Sequence, residues 1–261
     1  MVKRQNIPVR SFGSEAGTPG VADLAAWVAE RRGKAGDLVT YQLGQSLQPQ
    51  TAVDIPCAGG MFYGRRWRES LLGFRDGVLA EEPGIAPEDV RMDAAEMAAA
   101  RRGVWCSLPA PHLLGAADGY LGDPDEFSGL LSDLYAGLMR EMRDMGVQGH
   151  VLIADAVEDA EVEALAGRKA FFYLRQPDRQ GLEALLEYQD SAAVPPDLLP
   201  IAIGLLEEYR IRRLILLDPK TRDLAAAAAA VDPDMLLAGG YCERDCEDYW
   251  SAIADRAFIL R

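Results

Sequence analysis

The residues best suited to chemistry in this sequence are two cysteines near its C-terminal end. Cys242 and Cys246 are separated by three residues, within a segment that also holds several acids. This spacing allows two thiolates to chelate a metal ion when the second cysteine begins a helix, but it is a weaker signal than paired C-x-x-C motifs. Neighbouring carboxylates disfavour the reactive thiolate form. The spacing leaves three interpretations: zinc ligands together with His112, a redox pair, or two ordinary thiols at the start of the last helix.

Other polar side chains follow predicted strands and are candidates for an active site. We take Asp155 and Asp54 as the candidate catalytic carboxylates. The candidate substrate-binding residues are Ser14, Ser107, Arg175 and Asp218. Each aspartate also has a structural explanation, because an acid after a strand often caps the next helix. Cys57 and Cys106 are expected to be buried as small apolar residues.

These candidates need elements to position them, and the clearest element lies in the segment 123–157. Asp123 as N-cap, Pro124 at the first helical position and Glu126 at the third predict a helix start. Apolar residues then recur at spacings of three and four, and Gly146 ends the helix. An apolar run over 150–157 follows, so we predict a buried strand that ends near Asp155.

The same order of apolar run, loop and helix repeats along the chain. The predicted strands are 8–12, 52–56, 103–108, 150–157, 169–174, 190–194, 213–217 and 235–239. Strands separated by helices pair in parallel, with right-handed crossovers. We therefore predict an α/β protein with one domain, residues 1–261, that forms a single (β/α)8 TIM barrel. An open doubly wound sheet is the second choice, although no G-x-G-x-x-G turn follows the first strand.

In such a barrel, residues that follow the strands share one face of the molecule, where active sites lie. His112 is on that face. His150 precedes a strand, so we place it at the opposite face and give it no role in the site.

The composition excludes several classes of function. The net charge of −14 disfavours a nucleic-acid partner, since such binding needs clustered Lys and Arg. No apolar run approaches the ~18 residues of a membrane span, and the N-terminal segment lacks the apolar region of a secretory signal. Four scattered cysteines do not make a disulfide framework in a chain of this length. We expect a cytoplasmic protein with no membrane or nucleic-acid partner, and its oligomeric state stays open.

Three stretches resemble the cobalamin-independent methionine synthase family, which belongs to a superfamily of barrels that also contains uroporphyrinogen decarboxylase. The first, 41–74, is similar to the family's Gln-rich helix, a strand with an aspartate, and a basic aromatic stretch ending in LLGF. The second, 107–157, contains SLPAPHLLG, a helix that begins after YLGDP, and a strand ending in aspartate. The third, 235–245, is MLLAGGYCERD, a final strand whose loop carries a cysteine.

The resemblance implies a TIM barrel that transfers a methyl group to a thiol acceptor. Family members hold zinc through one His, one Glu and two Cys, and zinc converts a thiol into a thiolate at neutral pH. The implied partners are small molecules: a thiol or amino-acid-like acceptor and a methyl donor. Asp155 would then position the donor or the amino group of the substrate.

The sequence departs from the family pattern at the zinc ligands. The family's H-x-C pair would fall in AFFYLRQPD, residues 170–178, which contains neither His nor Cys. Ala156 and Val157 follow Asp155 where the family has Glu and Pro, and Cys242 follows the glycines that it should precede. The zinc motif is therefore degenerate, and Cys242, Cys246 and His112 are the candidate ligands of an altered site.

Three functions are compatible with these observations. The first is a methyltransferase with an altered or lost metal site. The second is an enzyme similar to uroporphyrinogen decarboxylase or corrinoid methyltransferases, for which only Arg10 and Arg175 are placed to bind an anionic ligand. The third is a non-catalytic barrel that binds a small ligand, which is favoured if side chains such as Trp105, Phe172 and Tyr173 fill the mouth.

Overall fold

A computed structural model describes residues 3–31, 36–244 and 246–260 of the chain. The strands are β1 (Arg4–Asn6), β2 (Val9–Ser14), β3 (Cys57–Gly59), β4 (Leu71–Arg75), β5 (Val78–Ile85), β6 (Trp105–Pro109), β7 (Ala117–Asp118), β8 (His150–Ala154), β9 (Ala170–Leu174), β10 (Ser191–Val194), β11 (Arg213–Leu217), β12 (Leu236–Cys242) and β13 (Phe258–Leu260). The helices are α1 (Val21–Glu30), α2 (Leu38–Leu47), α3 (Gly64–Glu69), α4 (Glu88–Ala100), α5 (Pro124–Asp144), α6 (Asp159–Leu165), α7 (Arg179–Leu186), α8 (Leu199–Leu205), α9 (Thr221–Ala228) and α10 (Cys246–Arg256).

Eight of the strands form two parallel sheets of four. One sheet has the strand order β10-β11-β12-β2 and the other has the order β3-β6-β8-β9. Every pairing inside these two sheets is parallel. Helices cross between successive strands, which is the connection that parallel pairing requires. The predicted α/β class and the parallel pairing are confirmed.

The two sheets meet at two junctions. At the first, a parallel bridge joins Arg10 of β2 to Ile55, and the Ser11 amide donates to the Ile55 carbonyl at 3.0 Å. At the second, between β9 and β10, the described residues form no strand ladder. The buried side chain of Gln189 instead accepts from the Phe172 amide at 3.0 Å and donates to the Ser191 carbonyl at 2.9 Å. Because the first bridge is parallel, the carboxyl ends of all eight strands lie at the same end of the molecule.

A shared apolar core lies between the two sheets. Alternate residues of each strand contribute to it: in β11, Ile215 and Leu217 face this inner core, whereas Leu214 and Leu216 face helices. The outer face of one sheet packs on α4 and α5, and the outer face of the other packs on α8, α9 and α10. Strands buried on both faces are apolar at nearly every position, which explains their continuous apolar runs.

Short antiparallel elements lie outside the two parallel sheets. β1 pairs with β13, and the β4–β5 hairpin is extended by β7. Gly73 has a φ of +86° at the irregularity in the hairpin, and a side chain there would collide with the backbone of Glu82. No helix in the described part of the chain is long and apolar enough to cross a lipid bilayer.

The local predictions succeed where caps are strong and fail in the segment 52–75. The Asp123 carboxylate accepts from the amides of Asp125 and Glu126 at 2.9 and 3.1 Å, as a cap of α5 should. The strand predicted at 52–56 is wrong: the strand begins at Cys57, after Pro56, which has no N–H for a ladder. In the same segment, α3 ends at Glu69 and β4 begins at Leu71.

Candidate functional site

A cluster of acids and tyrosines lies at the carboxyl ends of the strands. The Tyr241 hydroxyl, at the end of β12, donates to the Glu15 carboxylate and accepts from the Met61 amide at 3.2 Å. Burial, together with the hydrogen bond to Glu15, raises the pKa of Tyr241 far above its ordinary value. Tyr241 therefore stays protonated and holds Glu15 in one orientation.

A second tyrosine–acid pair follows β11. The Tyr249 hydroxyl donates to the Asp218 carboxylate at 2.5 Å. Asp218 has a φ of +49°, a strained conformation for a residue with a side chain, and such strain concentrates at functional sites. Gly240 lies beneath this pair, and a Cβ there would collide with the Tyr249 hydroxyl. Desolvation raises the pKa of Asp218, and the Tyr249 hydrogen bond only partly offsets it.

Aromatic rings form the floor under these polar groups. The Tyr173 ring stacks on Phe12 with centroids 4.8 Å apart, and it lies 6.2 Å from the ring of Tyr241. Burial, followed by the negative charge of Asp218, raises the pKa of Tyr173 to about 12. Its hydroxyl is therefore a neutral donor at physiological pH. Above this floor, Arg175 and Glu243 form an exposed ion pair at 3.1 Å.

A cleft of about 870 Å³ opens beside the cluster, between the loops that follow β2 and β12 and the C-terminal end of α2. The polar and sulfur-bearing side chains that line it include Ser14, Glu15, Gln45, Gln48, Glu243, Arg244 and Cys246. The cleft thus combines carboxylates, a guanidinium group and amides, which is a donor and acceptor set suited to a small molecule carrying both charges.

Cys242 and Cys246 form a disulfide bond, with their Cα atoms 5.8 Å apart. Cys242 is fully buried, whereas Cys246 is half-buried and lines the cleft. Of the three interpretations of this pair, the bond contradicts the one of two ordinary free thiols. Cys57 and Cys106 are free and buried, as predicted.

His112 lies between two carboxylates. Its Nδ1 is 2.8 Å from Glu161 of α6, and its Nε2 is 3.0 Å from Asp155, which follows β8. Burial lowers the pKa of His112, but the two carboxylates outweigh that effect and the net shift is upward. Both ring nitrogens can donate only in the imidazolium form, so the two carboxylates favour the protonated histidine.

The structure separates the two carboxylates predicted to be catalytic. Asp155 follows β8 at the carboxyl end, but the Asp54 carboxylate accepts from the Val9 amide at 2.8 Å, at the start of β2. Asp54 therefore lies at the opposite end of the strands and cannot act on the same ligand as Asp155. The physical reason is that β3 begins only after Pro56, so Asp54 precedes its strand instead of following it.

The other predicted residues lie at or below the mouth, which is the end of the molecule where the carboxyl ends of the strands lie. Asp218 and Arg175 reach the mouth, and Ser14 lines the cleft with its hydroxyl 3.5 Å from the Ser46 carbonyl. Ser107 is buried deeper, against Gly13 and Gly59, and its hydroxyl has no hydrogen-bond partner among the described residues. Their roles as substrate-binding residues stay predictions.

Two other predictions concern residues near the amino ends of the strands. Arg10 is buried near the start of β2, not at the mouth, so it is not available to bind an anionic ligand there. His150 begins β8 at the same end and is fully buried, as expected for a residue outside the site.

As they are arranged, the predicted zinc ligands do not fit a zinc ion. The two cysteines are bonded to each other, and each ring nitrogen of His112 already contacts a carboxylate. Within residues 3–31, 36–244 and 246–260, no group of three or more His, Cys, Asp or Glu side chains could hold a metal ion. The zinc prediction stays untested for a reduced form in which both thiols are free.

No family model and no curated protein matches the chain. It is similar to the crystal structure of a Listeria monocytogenes protein that carries the provisional name of a vitamin-B12-independent methionine synthase. That match has 13% identity, covers 96% of this chain and 96% of the other, and has a TM-score of 0.62. A B12-independent methionine synthase from a Shewanella species, in complex with selenomethionine, matches with 14% identity, coverage of 96% and 97%, and a TM-score of 0.52.

The chain shares the fold of these proteins. At such low identity the likeness shows the fold alone, an α/β fold with parallel sheets like that of methionine-synthase-like proteins. The closed (β/α)8 barrel implied by the resemblance to methionine synthases stays a prediction. The activity and the zinc site that the same resemblance implies are not tested by the likeness.

Several residues of the site have no strong signal in the sequence. Tyr241 and Tyr249 contact acids that are distant along the chain, and only the position of Tyr241 beside Cys242 pointed to this region. Glu161 lies inside α6, where an acid is typical of a solvent-exposed helix face, so its contact with His112 was not predictable.

Proposed function

We propose that this chain is a methionine-synthase-like (β/α)8 barrel that binds a small amino-acid-like ligand in the cleft beside β2 and β12. One observation carries the proposal: Glu15, Glu243 and Arg244 line one space of about 870 Å³ at the carboxyl ends of the strands. A free amino acid carries an ammonium and a carboxylate group, and it needs partners of both charges in one cavity.

The barrel part of the proposal rests on the direction and the core of the eight strands. They run in the same direction, and the two sheets enclose one core that takes alternate residues from strands of both. Arg10 and Ile55 bridge one junction, and Gln189 supplies side-chain hydrogen bonds at the other in place of backbone pairing. Parallel strands with crossover helices that surround a common core are the architecture of a TIM barrel.

The ligand would be held by its two charged ends. Glu15, fixed by Tyr241, accepts hydrogen bonds from the ammonium group, and Glu243 adds a second carboxylate on the same cleft. Arg244 binds the carboxylate, since a guanidinium group matches its two oxygens. Gln45 and Gln48 supply amides for the remaining polar atoms. The selenomethionine bound by the Shewanella protein supports an amino acid with a thioether-like side chain as the ligand class.

Methyl transfer to a thiol acceptor is the second candidate, and the shared fold and the position of Asp155 after β8 favour it. The oxidised cysteine pair offers no thiol-activating metal site, so no step of the reaction is derived through zinc. Purification under reducing conditions without chelator, followed by elemental analysis, tests this version. Near-stoichiometric zinc that Cys242→Ser removes would support it, and zinc-free reduced protein would contradict it.

Two observations bear on the remaining alternatives. Tyr173 and Tyr241 fill part of the mouth, which favours ligand binding without catalysis. Phe172 does not fill it, because it packs in the apolar cluster on the helix-covered side of its sheet. Trp105 does not fill it either, because it lies at the start of β6. A porphyrinogen-binding or corrinoid-linked enzyme is disfavoured because Arg175 is paired with Glu243 and Arg10 is buried.

Isothermal titration calorimetry with L-methionine tests the proposed ligand class. N-acetyl-L-methionine lacks the ammonium group and the methyl ester lacks the carboxylate, so we expect each to bind at least about tenfold more weakly, equal to about 1.4 kcal/mol. Glu15→Gln should weaken L-methionine binding by a similar factor. Glu82→Gln, an exposed acid on β5, is the matched control and should bind normally. Equal affinity for the N-acetyl derivative, or no binding of any free amino acid, would contradict the proposal.

A further inference from the structure

The Cys242–Cys246 disulfide is asymmetric in its exposure. Cys242 is 0% exposed and packs in the apolar cluster beneath α10, whereas Cys246 is half-buried and lines the cleft. The Cys242 sulfur lies 3.3 Å from the carbonyl oxygen of Arg244. The cleft therefore borders the Cys246 end of the bond, whereas the Cys242 end is enclosed by protein.

From this asymmetry we infer that the disulfide is a thiol–disulfide exchange site that reacts with a low-molecular-weight thiol from the cleft, at Cys246. This activity is independent of the amino-acid ligand proposed above, because it needs only access to one sulfur. A small thiol fits a cavity of about 870 Å³ without displacement of the strands.

The exchange takes two balanced steps. The thiolate of the first small thiol attacks the Cys246 sulfur in line with the S–S bond, forms a mixed disulfide, and leaves the electron pair on the Cys242 sulfur. That sulfur takes up a proton and, as a thiol, donates to the Arg244 carbonyl. The thiolate of a second small thiol then attacks the small-molecule sulfur of the mixed disulfide, which frees Cys246 and releases the oxidised small-molecule disulfide. Two small thiols are oxidised to one disulfide while the protein disulfide is reduced to two thiols.

The buried leaving group makes the reaction directional. Once reduced, Cys242 is shielded from solvent, so it reacts with Cys246 and not with an external reagent. Return to the oxidised state therefore passes through a mixed disulfide on Cys246. Cys57 and Cys106 are buried free thiols that take no part, and they serve as internal references.

Thiol reactivity of single variants under native conditions tests the inference. Cys242→Ser leaves Cys246 free, and Cys246→Ser leaves Cys242 free; both retain Cys57 and Cys106. With a chromogenic aromatic disulfide as probe, we expect Cys242→Ser to react about tenfold or more faster than Cys246→Ser. The double variant Cys242→Ser/Cys246→Ser is the matched control and should react at the slow rate of the buried thiols. Equal rates in the two single variants would overturn the inference.

A second measurement uses the unchanged chain, so it stands even if a variant folds poorly. The native protein is incubated with 2-mercaptoethanol, quenched with acid and mapped by peptide mass spectrometry. We expect the mixed disulfide on Cys246 and none on Cys242. A disulfide that the thiol reduces only after denaturant is added, or a mixed disulfide on Cys242, would overturn the inference. Calorimetry with L-methionine on the double variant separates this result from the proposed ligand binding.

Discussion

At the scale of single residues, the two histidines have opposite electrostatic environments. His112 lies between Asp155 and Glu161, and its net pKa shift is upward. His150 is fully buried, neither ring nitrogen has a hydrogen-bond partner among the described residues, and burial lowers its pKa to about 3. The folded state therefore favours a protonated His112 and a neutral His150.

These shifts predict a pH dependence of stability with a defined sign. The folded pKa of His112 is above the unfolded value of about 6.5, so its contribution is fully present below pH ~6.5 and is lost as pH rises through the folded pKa. The slope from this one group cannot exceed about 1.4 kcal/mol per pH unit. His150 acts in the opposite sense and only between about pH 3 and 6.5, where the unfolded state binds the extra proton.

Urea unfolding of the wild type and of His112→Asn at a series of pH values checks this prediction. The two free energies of unfolding should converge as pH rises above ~6.5, because only the wild type loses the contribution of the imidazolium. His150 is present in both proteins and serves as the internal control. If the two plots of unfolding free energy against pH stay parallel above pH ~6.5, the ion-pair cluster of His112, Asp155 and Glu161 is contradicted.

Arg10 is a buried cation that contacts aromatic rings instead of a carboxylate. Its guanidinium carbon lies 4.4 Å from the ring centroid of Trp105 and 5.1 Å from that of Phe171. Two of its nitrogen atoms have no hydrogen-bond partner among the described residues, and burial lowers its pKa to about 10. The cation–π contacts offset only part of the cost of desolvating the charge.

Replacement of Arg10 by methionine is therefore expected to stabilise the protein. Methionine fills a similar space without a charge, so Arg10→Met should raise the free energy of unfolding by about 1 kcal/mol. Arg10→Ala should lower it by about 2–3 kcal/mol, because it leaves a cavity under Trp105. Denaturant unfolding measures both changes. A loss with methionine as large as the loss with alanine would show that the charge itself stabilises the fold.

The sequence predicted the position of a candidate residue correctly where the strand assignment was right and wrongly where it was not; the roles of these residues stay predictions. Asp155 and Asp218 follow strands whose apolar runs are clear, and both lie at the carboxyl end. Asp54 lies in the segment VDIP, where apolar residues form a connection instead of a strand. The pairing of His112 with Glu161 depends on packing between elements distant in sequence, which spacing alone does not encode.

At the scale of elements, the junction between β9 and β10 depends on one side chain. Gln189 is 7% exposed and also donates to the Phe172 carbonyl at 3.3 Å, in addition to its bonds to the Phe172 amide and the Ser191 carbonyl. A buried backbone amide that loses its partner costs the full desolvation of that group. The side chain thus does at this junction what strand pairing does elsewhere.

Gln189→Leu should therefore lower the free energy of unfolding by about 2–3 kcal/mol, since the Phe172 amide and two carbonyls lose partners. Gln180→Leu, an exposed glutamine of α7, is the matched control and should change stability by less than about 0.5 kcal/mol. Thermal and denaturant unfolding compare the two. Equal effects would show that the junction does not depend on Gln189.

The start of α10 also depends on a single bond, the Cys242–Cys246 disulfide. The disulfide closes a short loop, so its reduction should cost about 2 kcal/mol of stability by the chain-entropy model. Scanning calorimetry with and without a small thiol measures this cost as a lower Tm. The double variant Cys242→Ser/Cys246→Ser should show no effect of the thiol, and an equal shift in that variant would assign the effect to another part of the chain.

At the scale of the whole molecule, the order of elements was predictable and the way in which the two sheets meet was not. Alternating apolar runs and helices specify parallel pairing, and the strong cap at Asp123 fixed one unit in detail. The peripheral hairpin and α4 were missed because their patterns are weakly amphipathic and interrupt the repeat. How the two sheets meet depends on Gln189 and on the Arg10–Ile55 bridge, contacts between residues that no local pattern connects.

The fold that results is shared with proteins only 13% and 14% identical to this chain. A likeness at this level of identity shows the fold and not the ligand. The cleft next to Glu15, Tyr241 and the cysteine pair is therefore the part of the molecule whose ligand needs direct measurement.

The most direct test of the central claim is a crystal structure of the protein crystallised with L-selenomethionine as a ligand. The protein itself is expressed with ordinary methionine, so selenium is present only in the ligand. The anomalous scattering of selenium locates the side chain of the ligand without reference to the rest of the density. We expect one selenium peak in the cleft, with the amino group within hydrogen-bond distance of Glu15 and the carboxylate at Arg244. An empty cleft at saturating ligand, or a selenium peak elsewhere on the molecule, would contradict it.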